Sequence, residues 1–249
     1  MTTENNSAVA FGSLNVTPGF TPVNDQKAVE FVQGLTLDTQ LGAMLGNPEH
    51  FVNDPDAYNA IVNVRDVARK SAERLKGVTG DLTITSPVRH ENAAKVAGVL
   101  VDAAEATHGI LGRRAKDYMT AAENIFGDRF KPNPTRDGIY GHWVGWIGNK
   151  ATDGQNNGYR QITEAITDDP DAAVVLYNFN YRLLNLPEKD AFMFKERIVE
   201  KFAPDALAHI ETSHQLDKVA KRYPDFVTKV HASFYSPLEL AKTRTRFAL

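Results

Sequence analysis

The sequence predicts a mainly α fold: a multi-helix domain with a Gly/Trp-rich irregular insert and an extended N-terminal arm. Three observations carry that reading. Proline stands again and again where a helix would begin, the segments that follow have helical apolar period, and strand-like alternation is scarce. Proline suits the first helical position, where its missing N–H costs nothing, and it holds the preceding residue extended. The chain repeats this device in "NDPDAY" at 53, "TSPVRHEN" at 85, "DDPDAAV" at 168, "NLPEKDAF" at 185, "FAPDALA" at 202, "RYPDFV" at 222 and "YSPLEL" at 235. Several add an Asp or Ser cap and an acid in the first turn, where the helix dipole favours negative charge.

Residues 1–24 are rich in Thr, Asn, Ser, Gly and Pro and lack either period, which predicts an extended or disordered arm. Val9, Phe11, Leu14, Val16 and Phe20 are unusual in such a segment and suggest an arm that orders on a neighbour. Residues 25–127 form an N-terminal helical unit, with Ile61, Val64, Ala68, Ala72 and Leu75 on one helix face. Gly77 and Gly127 stand where C-terminal caps are expected. Between Pro87 and Phe126 the chain is rich in Ala and Gly, reading as one long helix, or two broken near Gly109, in close backbone contact with its neighbours.

Residues 128–158 hold both Trp, two Pro, many Gly and the turn signals "RDG", "TDG" and "NNG", and are expected to be an irregular insert. Trp143 and Trp146 are expected to be largely buried, fixing it to the helical body. Residues 159–249 make a C-terminal helical unit in which Ala191, Phe194, Ile198 and Phe202 share a face. Tyr177 and Tyr181 read as helical neighbours packed in the core. Short strands are conceivable at "DLTIT" (81–85), "WVGWI" (143–147) and "KTRTRF" (242–247).

Composition narrows the function classes. With 42% hydrophobic and 24% charged residues over 249 positions, the chain can bury a core. It has no run of about 18 apolar residues, so no membrane partner is expected, and the chain reads as cytoplasmic or assembled into a virion. The absence of Cys excludes disulfides, thiolate metal sites and Cys nucleophiles. Net charge is −3, giving no global attraction to nucleic acid. Charge is uneven, however. Residues 1–64 hold seven acids and one base, a net of −6; residues 218–249 hold seven bases and two acids, a net of +5.

Candidate chemistry is sparse. "DGQNNGYRQITE" (153–164) resembles an EF-hand loop over those twelve residues, with Asp153, Gln155, Asn157 and Glu164 at the first, third, fifth and twelfth places and Gly158 at the bend. Gln155 is too long for its place, Arg160 stands where an apolar residue belongs, and the preceding segment is a poor entering helix. A turn into a helix over 159–167 explains the loop better. His209 and His214 are five residues apart, about 140° around a helix, and cannot share a ligand face; His214 is expected to be packed. Glu123, Asp128 and Asp137 have the letters of a muramidase-like carboxylate pair near a glycine-rich hairpin, at a spacing that fits no defensible pattern. No catalytic residue, metal ligand or cofactor is assigned.

The expected function is therefore a non-enzymatic structural or assembly protein. It would form a homo-oligomer, head to tail, or part of a larger particle with other structural proteins, such as a viral head, neck or tail. Phe11, Leu14, Phe20, Lys242, Arg244 and Arg246 are the candidate interface. The alternatives are a polysaccharide-cleaving, muramidase-like enzyme with its site in 123–160, and a nucleic-acid contact through the basic C-terminal tail.

Overall fold

The computed structural model describes residues 19–153 and 157–245, with backbone alone for 243–245. Every regular element among them is helical. In chain order these are α1 (Gln26–Gly34), α2 (Asp38–Leu45), α3 (Pro55–Gly80), α4 (Ser86–Arg129), α5 (Asp137–Thr152), α6 (Gly158–Asp168), α7 (Pro170–Asn178), α8 (Glu188–Phe202), α9 (Pro204–Ala220), α10 (Tyr223–Phe234) and α11 (Pro237–Thr245). Single 3-10 turns occupy Pro48–Phe51 and Pro134–Arg136.

The proline starts act as the sequence predicts. Asp54 caps α3 by accepting from the Ala57 N–H, with Pro55 in the first turn. Asp169 caps α7 by accepting from the Asp171 and Ala172 N–H groups. Each cap satisfies donors that the helix leaves open and contributes about 1 kcal/mol.

The chain divides into two compact units, one of residues 1–108 and 221–249, the other of residues 109–220. These boundaries differ from a division along the sequence at 127 and 158, because the last helices return to the first unit.

In the first unit α1 and α2 pack on α10, and α2 packs on α3. The α3 stripe is as expected, with Ile61, Val64, Ala68, Ala72 and Leu75 all buried. Ala93, Ala97, Leu100 and Ala104 form the matching stripe on the first half of α4. Gly46 ends α2 at φ 95°, a conformation that only glycine adopts easily, and its carbonyl accepts from the Arg65 guanidinium. Arg65 also pairs with Asp38 at 2.9 Å, tying the start of α2 to α3.

In the second unit the core gathers Phe130, Tyr140, Ile147, Ile162, Ile166, Val175, Leu176, Leu184, Phe194 and Ile198. Tyr177 stacks on Phe130 at 4.2 Å, and Tyr159 meets Phe194 edge-on at 5.6 Å. The Tyr159 hydroxyl donates to Asp190 at 2.7 Å. Burial and that carboxylate push its pKa up to about 12. Arg136 pairs with the buried Asp171 at 2.6 Å, joining the turn before α5 to α7.

Several local expectations are corrected. The insert is helical over Asp137–Thr152: glycines lower helix propensity, but burial of Tyr140, Ile147 and Ala151 on one face of α5 overrides it. Trp143 and Trp146 lie about 60° and 120° around from that face and are half-buried, in an edge-on pair at 5.3 Å. Of the two readings of the Ala/Gly-rich segment the single long helix is found, with α4 unbroken at Gly109; it passes Gly127 as α3 passes Gly77, so neither glycine is the expected cap. Gly98, Gly109 and Gly112 face open space, so the close packing of α4 comes from its alanines. Tyr181 falls in the turn after α7. "DLTIT" is a turn in which Asp81 accepts from the Thr83 N–H and hydroxyl. "WVGWI" lies within α5, and "KTRTRF" is helical as far as Thr245.

Candidate interaction surface

The described part of the N-terminal arm is packed. The buried Thr21 donates its hydroxyl to the Ser233 carbonyl at 2.5 Å, and the Val23 N–H donates back to the Thr21 hydroxyl at 3.2 Å. Half-buried Phe20 has the Lys76 ammonium 5.3 Å from its ring centroid, a cation–π contact. Gly19 lies so close to Thr79 that an added Cβ would meet the Thr79 methyl at 2.7 Å. Residues 21, 20 and 19 therefore step from α10 to the C-terminal end of α3. Phe11 and Leu14 lie outside the described residues.

The C-terminal tail docks on α4. The buried His90 accepts from the Ser236 N–H through Nδ1 at 3.0 Å, completing the start of α11. Ser86 meets Glu239 at 3.5 Å. Burial lowers the His90 pKa; Glu239 opposes that, while Arg89 and Lys242 add to it. Glu239 itself is held below its ordinary value, first by the hydrogen bond from Lys242. Lys242, expected as an interface residue, is thus paired within its own helix at 2.5 Å. Arg244 lies on α11 without a described side chain, and Arg246 lies outside the described residues.

Three of the chain's exposed apolar side chains lie on these same elements; others, such as Leu183 and Phe192, lie elsewhere. Leu82, on the α3–α4 turn, is 87% exposed; Leu238, on α11, is 79% exposed; Val88 of α4 is 38% exposed. Sequence patterning missed them because Leu82 lies in a turn and Leu238 follows a helix-start proline, outside any periodic stripe. A second feature of the unit is an open cavity of about 700 Å³ between α1, α2 and α10. Ala28, Phe31, Met44 and Ala232 give it apolar walls, while Lys27, Glu30 and Lys229 stand among its lining residues. Exposed Leu37 also lines it.

Helices from the two ends of the chain pack together: α10, whose Asp225 and Lys229 pair with each other at 2.7 Å, lies on α1 and α2 in one unit. Arg222 donates to the Ala43 carbonyl at 3.0 Å, and Tyr223 to the Leu45 carbonyl at 3.0 Å.

The remaining candidates are not brought together. Glu123, Asp128 and Asp137 are exposed, the first two near the end of α4 and the third at the start of α5. In the 153–164 loop, Glu164 is on α6 within 4.0 Å of Arg160, and a Cβ at position 158 would fall 1.9 Å from the Lys150 carbonyl oxygen. Close approach of backbone thus accounts for Gly158. Among the described residues no group of three or more His, Asp or Glu is placed to hold a metal ion. His214 is exposed, and its neighbour Ser213 takes the packed position, donating to the Ala115 carbonyl at 2.7 Å. Among the described residues no helix is long and apolar enough to cross a membrane. Comparison with protein-family models, with curated proteins and with solved structures finds no match.

Proposed function

We propose that the chain is a non-enzymatic structural subunit that associates with copies of itself, head to tail, into a homo-oligomer or a larger particle of the kind that viral heads, necks and tails exemplify. The observation that carries this reading is the apolar surface where both ends of the chain gather. Leu82 of the α3–α4 turn, Val88 of α4 and Leu238 of α11 are exposed, and α4 meets the tail through Ser86–Glu239 and His90–Ser236. Lone exposed leucines are ordinary; several on adjoining elements, beside an arm that carries more apolar residues, are a mark of association. Charge is given a smaller part, since Lys229 and Lys242 of the returning segment are paired locally with Asp225 and Glu239.

Light scattering on the eluting species at tens of micromolar tests the proposal. The wild type is expected to exceed the monomer mass. The double variant Leu82→Glu, Leu238→Glu should shift it towards monomer, and raised salt should change the wild type little. A wild type that stays monomeric at this concentration would overturn the reading.

A further inference from the structure

We infer that the groove between α1, α2 and α10 receives residues 9–16 of the N-terminal arm of a second copy. The inference rests on the assembly reading above and names the contact that would close it.

The groove has the size and character for such a guest. Its volume of about 700 Å³ lies within the ~300–1,000 Å³ typical of sites that enclose a compact ligand. Phe31 and Met44 are only half-buried, while Leu37 and Ala232 are exposed; a guest would remove all four from water. The walls also carry Lys27 and Lys229 against Asp25 and Glu30, so a segment with little charge meets no net repulsion. Residues 9–16 read "VAFGSLNV": no charged side chain, with Val9, Phe11, Leu14 and Val16 as apolar anchors.

The direction in which the described chain runs is the argument for a donor arm from another copy. Thr21 is bonded to Ser233, which itself lines the groove. Going back towards the N-terminus, however, the chain moves to Lys76 and then to Thr79 on α3. Eighteen residues precede Gly19, a reach of up to roughly 60 Å when extended. A chain that leaves one surface and fills a different surface on the next copy makes a heterologous contact, which is what head-to-tail assembly requires.

The absence of cysteine makes a clean test possible in the full chain. One protein carries Phe11→Cys, another Ala232→Cys, and they are mixed under mild oxidation. The expected result is a disulfide-linked dimer of the two, formed several-fold faster than between Phe11→Cys and Leu207→Cys, a control on exposed Leu207 of α9. The double variant Phe11→Cys, Ala232→Cys should yield linked oligomers. If the double variant closes only on itself as a monomer, or if the mixed pair forms no faster than the control, the inference is wrong. Light scattering of the unmodified chain separates the two failures. An oligomer without the mixed disulfide sinks the groove contact alone, whereas a monomer sinks the assembly reading with it.

Discussion

The two units close their cores in different ways. The second is one uninterrupted stretch of chain, residues 109–220, whereas the first must bring residues 221–245 back to helices that begin near residue 25. The polar bonds follow that difference. In the first unit they reach from one end of the chain to the other: Thr21 to Ser233, Arg222 to Ala43, Tyr223 to Leu45, Ser236 to His90. The acceptor is a backbone carbonyl in three of the four, and in the fourth a ring nitrogen takes a backbone N–H. Such bonds depend on backbone position and so fix the register of one segment on another. In the second unit such bonds span only its own stretch, as from Ser213 to the Ala115 carbonyl and from Asn178 to the Phe130 carbonyl, beside aromatic contacts among Phe126, Phe130 and Tyr177 and of Tyr159 on Phe194. Long-range closure carries a greater loop entropy cost, so the first unit depends on its last helices in a way the second does not.

The largest expected effect divides the units most directly. Phe226 of α10 and Phe194 of α8 are both buried, at 2% and 0% exposure. Truncating either to Ala should cost about 3–5 kcal/mol from lost burial and the cavity left behind. Amide hydrogen exchange should report the damage in different places. Phe226→Ala should speed exchange in α1, α2 and α10, and Phe194→Ala in α6, α7 and α8. If both variants accelerate the same set of amides, the chain opens as a single cooperative body and the comparison fails.

A smaller effect, of opposite sign at two glycines, sharpens the point. Gly158 has no room for a Cβ, because the Lys150 carbonyl oxygen would be 1.9 Å away. Gly158→Ala must displace backbone at the α5–α6 junction and is expected to cost about 1–3 kcal/mol. Gly112, inside α4, has nothing within 4 Å of a built Cβ. Gly112→Ala should stabilise the protein by about 0.5–1 kcal/mol by restricting the unfolded chain. Thermal melts of the two variants decide it; equal shifts would mean that the close approach at residue 158 relaxes without cost.

These glycines also show what sequence could and could not convey. Proline starts were legible because their reason is local: a cap, a missing N–H and a dipole, all within one turn. Asp54–Pro55 and Asp169–Pro170 act as expected. The α3 stripe was legible because five apolar residues repeat with helical period. α5 was not, since four glycines and two half-buried Trp mask a face defined only by Tyr140, Ile147 and Ala151. Gly158 reads equally as a metal-loop bend or a turn, and only the three-dimensional approach of Lys150 distinguishes them. The packing around the candidate interaction surface is legible only in part. Phe20 was singled out and is packed at the arm's root, but Leu82 and Leu238 acquire meaning only when α11 docks on the start of α4.

The smallest expected effect concerns pH and is confined to the first unit. His90 accepts the Ser236 N–H on Nδ1, so a proton there would remove the acceptor that completes the start of α11. Burial already disfavours the charged ring, with Arg89 and Lys242 adding to that and Glu239 opposing it. Its folded pKa is therefore below the ordinary value of about 6.5 that it regains on unfolding. Below that value the unfolded chain binds the extra proton more readily. The stabilisation is then complete above about pH 6.5 and is lost as pH falls from there towards the folded pKa. Asp81 and Glu239, whose pKa values are lowered, lose their contribution only further down, in the carboxylate range below about 4.5. The other histidines of the unit, His50, His108 and His231, are exposed. Melting temperature should therefore fall between pH 7 and pH 5, with exchange in α11 and the first turns of α4 rising before that of any helix in the second unit. His90→Gln keeps a side-chain acceptor without the titration and should flatten this part of the profile. If His90→Gln loses as much stability over the same range as the wild type, the pH response belongs to other groups. The docking of α11 would then owe its stability to packing and to Glu239, with the imidazole acting as a spectator.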